Sequence, residues 1–416
     1  MSKSAELIAV GTELLLGEIT NTDGSYIASR LASIGVNVYY QTTVGDNPAR
    51  LKEAVELASR RADIIITTGG LGPTFDDLTK ETIAGVFGKK LVRDEASLDR
   101  IRVFFEKRGR EMTPNNEKQA DLPEGAEIFE NLWGTAPACA FETEKNTVIM
   151  LPGPPDECFP LTEKYVIPYL MRYSDGVLTS RYVRIYDVGE SAVEDRLHDL
   201  MTESLNPTVA PYAKGGSVLV RVTAKAADRD TGLQMCAPIV ENILAIYGKK
   251  AYEELDGGLP ALVFSLLKAQ GKTFSTAESC TGGLVSKWMT DLSGVSDVFM
   301  GGVCTYSNEA KADILGIDPA LIEENGAVSE PVARAMAENS RRIYHTDIAI
   351  GITGIAGPGG GTEEKPVGLV YIACADETGT EVRKCTFGGT LKRTRDRIRT
   401  DAANAALDMV RKHLMN

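Results

Sequence analysis

The run Asp63-Ile64-Ile65-Ile66-Thr67-Thr68-Gly69-Gly70-Leu71-Gly72-Pro73-Thr74-Phe75-Asp76-Asp77-Leu78-Thr79 decides the fold. Residues 63–67 form a continuous apolar segment, the pattern of a strand covered on both faces of a parallel sheet. Glycines at the carboxyl end of such a strand let backbone N–H groups approach a phosphate. Working outward, residues 6–10 and 36–43 read as strands, and 23–34 and 48–60 as helices. That βαβαβ order predicts a parallel sheet with helices on both faces. Residues 148–151 add a buried strand closed by Pro152-Gly153-Pro154-Pro155, and Gly11-Thr12-Glu13-Leu14-Leu15-Leu16-Gly17 adds a second turn with a carboxylate at the same sheet edge. Asp76 and Asp77 are hard oxygen donors suited to a divalent cation beside phosphates. A tight turn with an Asp helix cap is the plainer alternative. The loop is neither a Walker A loop nor a GxGxxG fingerprint, and Gly271-Lys272-Thr273 lacks the upstream glycine of a P-loop.

A second chemical signal is Ala277-Glu278-Ser279-Cys280-Thr281-Gly282-Gly283, between a strand-like stretch (272–276) and a helical pattern from Leu284. A strand-to-helix turn of this kind offers nucleophiles and free N–H groups, which acyl transfer needs. Read alone, an N-cap with close-packing glycines is the stronger reading of the run. Downstream follow a Gly-rich strand region (299–306), a helix (330–344), a strand (348–352) running into Thr353-Gly354-Ile355-Ala356-Gly357-Pro358-Gly359-Gly360-Gly361, a strand (367–374) and a basic amphipathic helix. Between 181 and about 254 a strand, a helix opened by Ser191 with Glu194 as a capping box, two further strands (208–212, 217–226) and a helix (231–247) form a small α+β unit. It carries no chemical motif and reads as a spacer or dimer-organising domain. Residues 254–258 read as a linker.

A chain of 416 residues needs two or three domains. Its net charge of -13 argues against binding of nucleic acid or an anionic membrane by the whole surface. No apolar run approaches a membrane span, the N-terminus lacks a signal-peptide layout, and seven scattered cysteines fit a reducing cytoplasm. The three histidines, His198, His345 and His413, lie away from the Gly-rich turns. A general base is therefore sought among Lys, Tyr, Asp and Glu.

Together, GTELLLGEITNT, TTGGLGPTFDDLT, NLWGTAPA and LPGPPDE resemble the molybdopterin-binding-like N-terminal domain of the CinA family. AESCTGG, Gly301–Asn308 with Lys311, GITGIAGPGGG and Lys365-Pro366-Val367-Gly368 resemble its C-terminal nicotinamide mononucleotide deamidase domain. The resemblance covers nearly the whole chain. It implies an α/β protein with a three-layer αβα domain (1–172), a small α+β, KH-like middle domain (173–254) and a C-terminal α/β deamidase domain (255–416). It also implies two hydrolases. One converts nicotinamide mononucleotide to nicotinate mononucleotide and ammonia without a cofactor. The other is a metal-dependent hydrolase of ADP-ribose to AMP and ribose 5-phosphate. Asp76 and Asp77 would sit at the metal, whose identity stays open, and Glu13, Asn21, Gly70, Gly72, Gly153 and Pro155 would line that pocket. In the deamidase Ser279 would attack, Lys311 would be its base and Tyr306 would relay or orient the proton. Cys280, Thr281, Gly282, Gly283, Thr353, Gly354, Arg395 and Arg399 would contact substrate. Cys280 is the rival nucleophile. Arg393 rivals Arg395 as phosphate ligand, because extra residues follow Phe387-Gly388-Gly389 in the run to Arg399. The expected partners are small nucleotides and a second copy of the chain, with no nucleic acid and no membrane. The alternatives are an N-terminal domain that only binds a pterin or nucleotide, and a noncatalytic, competence-related interaction protein.

Overall fold

The computed structural model describes residues 3–173, 176–214, 217–387 and 393–415. The chain divides into two compact units, residues 1–180 with 223–237, and residues 181–222 with 238–416. Among the described residues no helix is long and apolar enough to cross a membrane, and none of the seven cysteines is joined in a disulfide.

The first unit holds a six-stranded sheet in the order Asn37–Val44, Ser4–Val10, Ile64–Thr68, Thr147–Leu151, Ala138–Glu142, Glu127–Phe129. The expected parallel arrangement holds for the first four strands, and the last two, which sequence reading did not mark, are antiparallel. Residues 143–146 join two strands and are too few for a crossover, so the pair closes as an antiparallel hairpin. Alternation along the strands sends side chains to two cores. Leu7, Ile64, Ile66, Ile149 and Leu151 pack with Ile27 and Leu31 of the helix Thr22–Ser33 and with Cys158 and Leu161 of the helix Pro155–Leu161. Ile8, Ile65, Val148 and Met150 pack on the other face with Leu51, Val55 and Ala58 of the helix Pro48–Arg61. The result is a three-layer αβα arrangement. That second helix starts at a site the sequence specifies, since Asn47 Oδ1 accepts from Arg50 N and Pro48 occupies the first turn.

A four-stranded sheet has the order Thr208–Lys214, Ser217–Ala226, Val177–Ile185, Ala251–Glu253 and is accompanied by the helix Arg229–Tyr247. Its strand Val177–Ile185 begins earlier in the chain than the expected start at 181. The capping box at Ser191 does not form. The helix is Glu190–Arg196 with Gly189 at its cap, which places Ser191 inside the first turn, and Glu190 instead accepts from Ala213 N.

The C-terminal part of the second unit is built on a five-stranded sheet of order Phe299–Cys304, Phe274–Glu278, Ile348–Gly354, Leu369–Ala375, Thr380–Thr386. Phe274–Glu278 is parallel to both neighbours, and the last two strands are antiparallel. One face packs on the helices Gly258–Gln270, Leu284–Thr290 and Arg395–Leu414. The other packs on Glu330–Tyr344 through Ala333, Met336 and Ala337. Part of the expected linker, Gly258, already begins the helix Gly258–Gln270. This topology brings the carboxyl ends of Phe274–Glu278, Phe299–Cys304 and Ile348–Gly354 to one edge.

Candidate active sites

Glu13, Asn21, Gly70, Gly72, Asp76, Asp77, Gly153 and Pro155 all line one cleft of about 580 Å³ in the first unit. The Gly-rich loop forms its floor. Gly70 has φ of +67°, and a Cβ there would lie 2.1 Å from Thr79 Oγ1, so no other residue fits without displacing the loop. Asp77 Oδ2 accepts from Thr74 N at 2.9 Å and from the Thr74 hydroxyl. The Thr74 hydroxyl also holds the exposed Asp76 carboxyl below its ordinary range. Asn21 caps the helix Thr22–Ser33 by accepting from Gly24 N, and Glu13 stands exposed in the first turn of Thr12–Leu16.

Sequence reading missed several groups. Lys118 Nζ donates to Asp77 O at 2.8 Å and to Thr74 O, fastening the loop from below. Lys80, whose ammonium burial pushes down to about 8, donates to Lys118 O and Gln119 O. Asp46 lines the cleft and accepts from Thr12 N and Oγ1. Asp23 lines it too, and burial pushes its carboxyl up to about 6. Asp23 and Asp46 reach the cleft, and Lys80 and Lys118 brace backbone behind it, from separate elements, so no local spacing marks them. Among the described residues no group of three or more His, Cys, Asp or Glu side chains could hold a metal ion by itself. Asp76 and Asp77 are nonetheless a donor set suited to a hard cation that completes its oxygen shell from substrate phosphates.

The second site lies at the end of the strand Phe274–Glu278. Ser279 N donates to Ile352 O at 2.9 Å, extending the ladder by one residue, and Gly282 and Gly283 then turn the chain through left-handed conformations into the helix Leu284–Thr290. Lys311, from the helix Asn308–Asp313, is 1% exposed. Its Nζ lies 3.2 Å from Ser279 Oγ, 2.8 Å from Thr305 O and 3.3 Å from Tyr306 O. Burial lowers the Lys311 pKa, while the neighbouring Cys280 and Cys304 act weakly in the other direction. A third carbonyl, Ser307 O, lies farther off at 3.5 Å; in the neutral form the two N–H groups can serve the nearer Thr305 O and Tyr306 O, which leaves the lone pair for the serine O–H. Cys280 packs into the apolar core, 4% exposed, and burial pushes its thiol up to about 12. A thiol so placed is not a thiolate at neutral pH.

Glu278, fully buried and unmarked by sequence reading, accepts from Val285 N, Ser286 N and Ser286 Oγ. It therefore caps the helix from the preceding strand, while within the turn Gly282 N donates to Ser279 O at 3.1 Å. The Tyr306 side chain is exposed, and its hydroxyl accepts from Arg395 Nη2 at 2.8 Å. Arg395 also donates to Gly357 O, and Arg399 donates to Thr281 O. Arg395 thus reaches the Gly-rich loop after Ile348–Gly354, and Arg399 reaches the turn. Arg393 instead pairs with Asp401. Gly388, Gly389 and Lys392 lie outside the described residues. Thr353 spends its hydroxyl on Ala327 O, and Gly354 ends its strand against Leu369 and Val370.

Three family descriptions match the chain in order: Probable molybdopterin binding domain over residues 6–172, Damage-inducible protein CinA KH domain over 180–252, and CinA C-terminal domain over 257–414. A putative competence-damage inducible protein of Acetivibrio thermocellus is 49% identical over 412 residues, covering 99% of both chains. A CinA-like protein of Dictyoglomus thermophilum is 47% identical over 411 residues, again covering 99% of both. The crystal structure of the protein CinA with unknown function from Thermoplasma acidophilum is 34% identical and covers 41% of this chain and 98% of that one, with a TM-score of 0.38.

Proposed function

The chain belongs to the CinA family, and from that premise we propose that its C-terminal part hydrolyses the carboxamide of nicotinamide mononucleotide to nicotinate mononucleotide and ammonia. The observation that carries this reading is the buried Lys311 amine 3.2 Å from Ser279 Oγ. Neutral Lys311 takes the serine proton as Ser279 Oγ attacks the amide carbon. N–H groups of the turn other than that of Gly282, which is held by Ser279 O, receive the oxyanion. The resulting ammonium returns its proton to the departing nitrogen, the C–N bond breaks, and ammonia leaves an ester on Ser279. Water then adds to that ester with Lys311 again accepting a proton, which releases the acid. Arg395 and Arg399 suit the phosphate of the nucleotide. Tyr306, hydrogen-bonded to Arg395, fits a role in orienting that arginine better than one in proton relay.

The cleft of the first unit supports a second activity, hydrolysis of ADP-ribose to AMP and ribose 5-phosphate. Asp76 and Asp77 would hold a divalent cation, which supplies charge neutralisation for the pyrophosphate. The Gly-rich loop presents backbone N–H groups to the same phosphates. A cytoplasmic homodimer without nucleic-acid or membrane partners belongs to the same proposal.

The test is direct. Purified protein with nicotinamide mononucleotide is expected to release ammonia, and Ser279→Ala to reduce the rate by ~10³-fold or more, while Cys280→Ala keeps most of it. A fully active Ser279→Ala enzyme refutes the serine mechanism. With ADP-ribose and magnesium or manganese, AMP is expected, and chelator should suppress it.

A further inference from the structure

Six carboxylates line the cleft of the first unit, from Glu13, Asp23, Asp46, Asp76, Asp77 and Glu157. Five have an evident place in its architecture. Asp46 is held by Thr12 and Asp77 by Thr74. Glu157 accepts from Asn131, and Asp76 and Glu13 stand exposed. Asp23 differs from all of them. It is 6% exposed and belongs to the first turn of a twelve-residue helix, a position where a carboxylate is normally solvated. Its Oδ1 has no hydrogen-bond partner among the described residues. An unsatisfied buried oxygen on the wall of a cleft is costly unless a ligand or a reacting water meets it.

We propose that Asp23 is the general base of this cleft, taking the proton of the water that attacks the pyrophosphate. The inference rests on the ADP-ribose hydrolase reading. In the step, the water oxygen bonds to phosphorus, its proton passes to the Asp23 carboxylate, and the bridging P–O bond breaks. The second phosphate leaves with that electron pair, and Asp23 returns the proton to solvent. The groups facing Asp23 suit this use. The helix Pro155–Leu161, packed on the same face, brings the Cys158 thiol to the carboxylate and Glu157 to the cleft. The Cys158 thiol is itself pushed above its ordinary range, first by burial and then by the Asp23 charge, so it acts as a donor and not as an anion. Desolvation places the Asp23 titration at about 6, where a base is mostly ionised at neutral pH yet still has affinity for a proton.

The experiment is a pH–rate profile of AMP formation from ADP-ribose with magnesium, run on the full chain as wild type, Asp23→Asn and Cys158→Ala. Wild type is expected to lose activity below a midpoint near pH 6. Asp23→Asn is expected to lower kcat by ~10²- to 10⁴-fold with KM little changed, and to abolish the acid limb. Cys158→Ala removes a donor that favours the carboxylate, so its acid limb should move to higher pH while its plateau rate stays within a few-fold. Ammonia release and thermal melting of the same preparations report whether the variants fold. If Asp23→Asn fails to fold, the Cys158→Ala limb decides, and an unmoved limb overturns the proposal. Asp23→Asn with the wild-type rate and limb overturns the role of Asp23 and leaves the hydrolase reading standing. Wild type that forms no AMP at any pH overturns the hydrolase reading and the base with it.

Discussion

A lysine does base chemistry only when something suppresses its charge, and at Lys311 that agent is burial. The rate of ammonia release should therefore rise with pH through a midpoint below the ordinary lysine value of about 10.4. Lys311→Arg, which cannot lose its proton in this range, should lower kcat/KM by ~10³-fold and flatten that limb; an unchanged limb would assign it to another group. Asp23 gives a second residue-level expectation, this one in stability. Its carboxyl is raised from 3.8 to about 6, so the folded state binds that proton more tightly than the unfolded state does. This contribution is fully present below about pH 4 and is lost as pH rises through about 6. Asp23→Asn should thus be more stable than wild type at pH 8 by up to about 3 kcal/mol, with the gain vanishing below pH 4 in denaturant titrations. Residue types at the two turns were legible in the sequence. The protonation behaviour of Lys311 and Asp23 was not, because desolvation is a property of everything packed around a group.

The elements were read best where one period dominated. Residues 63–67 are apolar at every position, and Glu330–Tyr344 carries its apolar side chains on one face, so the first was placed within one residue and the second without error. The hairpin of Ala138–Glu142 and Thr147–Leu151 escaped as a pair, since its short connection carries no strong turn dipeptide. The helix Gly258–Gln270 was taken partly as linker because its N-terminus is marked only by two glycines. The arginines show what an element adds to a motif. The helix starting at Arg395 directs Arg395 to Gly357 O and the Tyr306 hydroxyl and Arg399 to the turn after Ser279, while Arg393, ahead of its Thr394 cap, turns back to Asp401. Arg395→Ala should accordingly raise KM for nicotinamide mononucleotide by ~10-fold or more at similar kcat, the signature of lost binding. Arg393→Ala should leave KM unchanged; the reverse pattern would reassign the phosphate ligand.

At the level of the whole molecule, the two candidate sites lie in different compact units and share no residue. Ser279→Ala should therefore abolish ammonia release while sparing AMP formation, and Gly70→Val should do the opposite by forcing a side chain onto Thr79. A variant in either site that disables both activities would show that the units act as one. The order of domains was legible because strand and helix signals change texture along the chain. The mixed sheets were not, since strand direction depends on how neighbours connect and not on composition.

The cap that Glu278 places on the helix Leu284–Thr290 bears on turnover as well as folding. In the proposed deamidation, hydrolysis creates a new anion at the carbon that Ser279 would attack. A buried carboxylate one residue away opposes that charge but not the neutral amide that preceded it. The site is thereby biased to eject what it makes, and accumulation of nicotinate mononucleotide should slow the enzyme little.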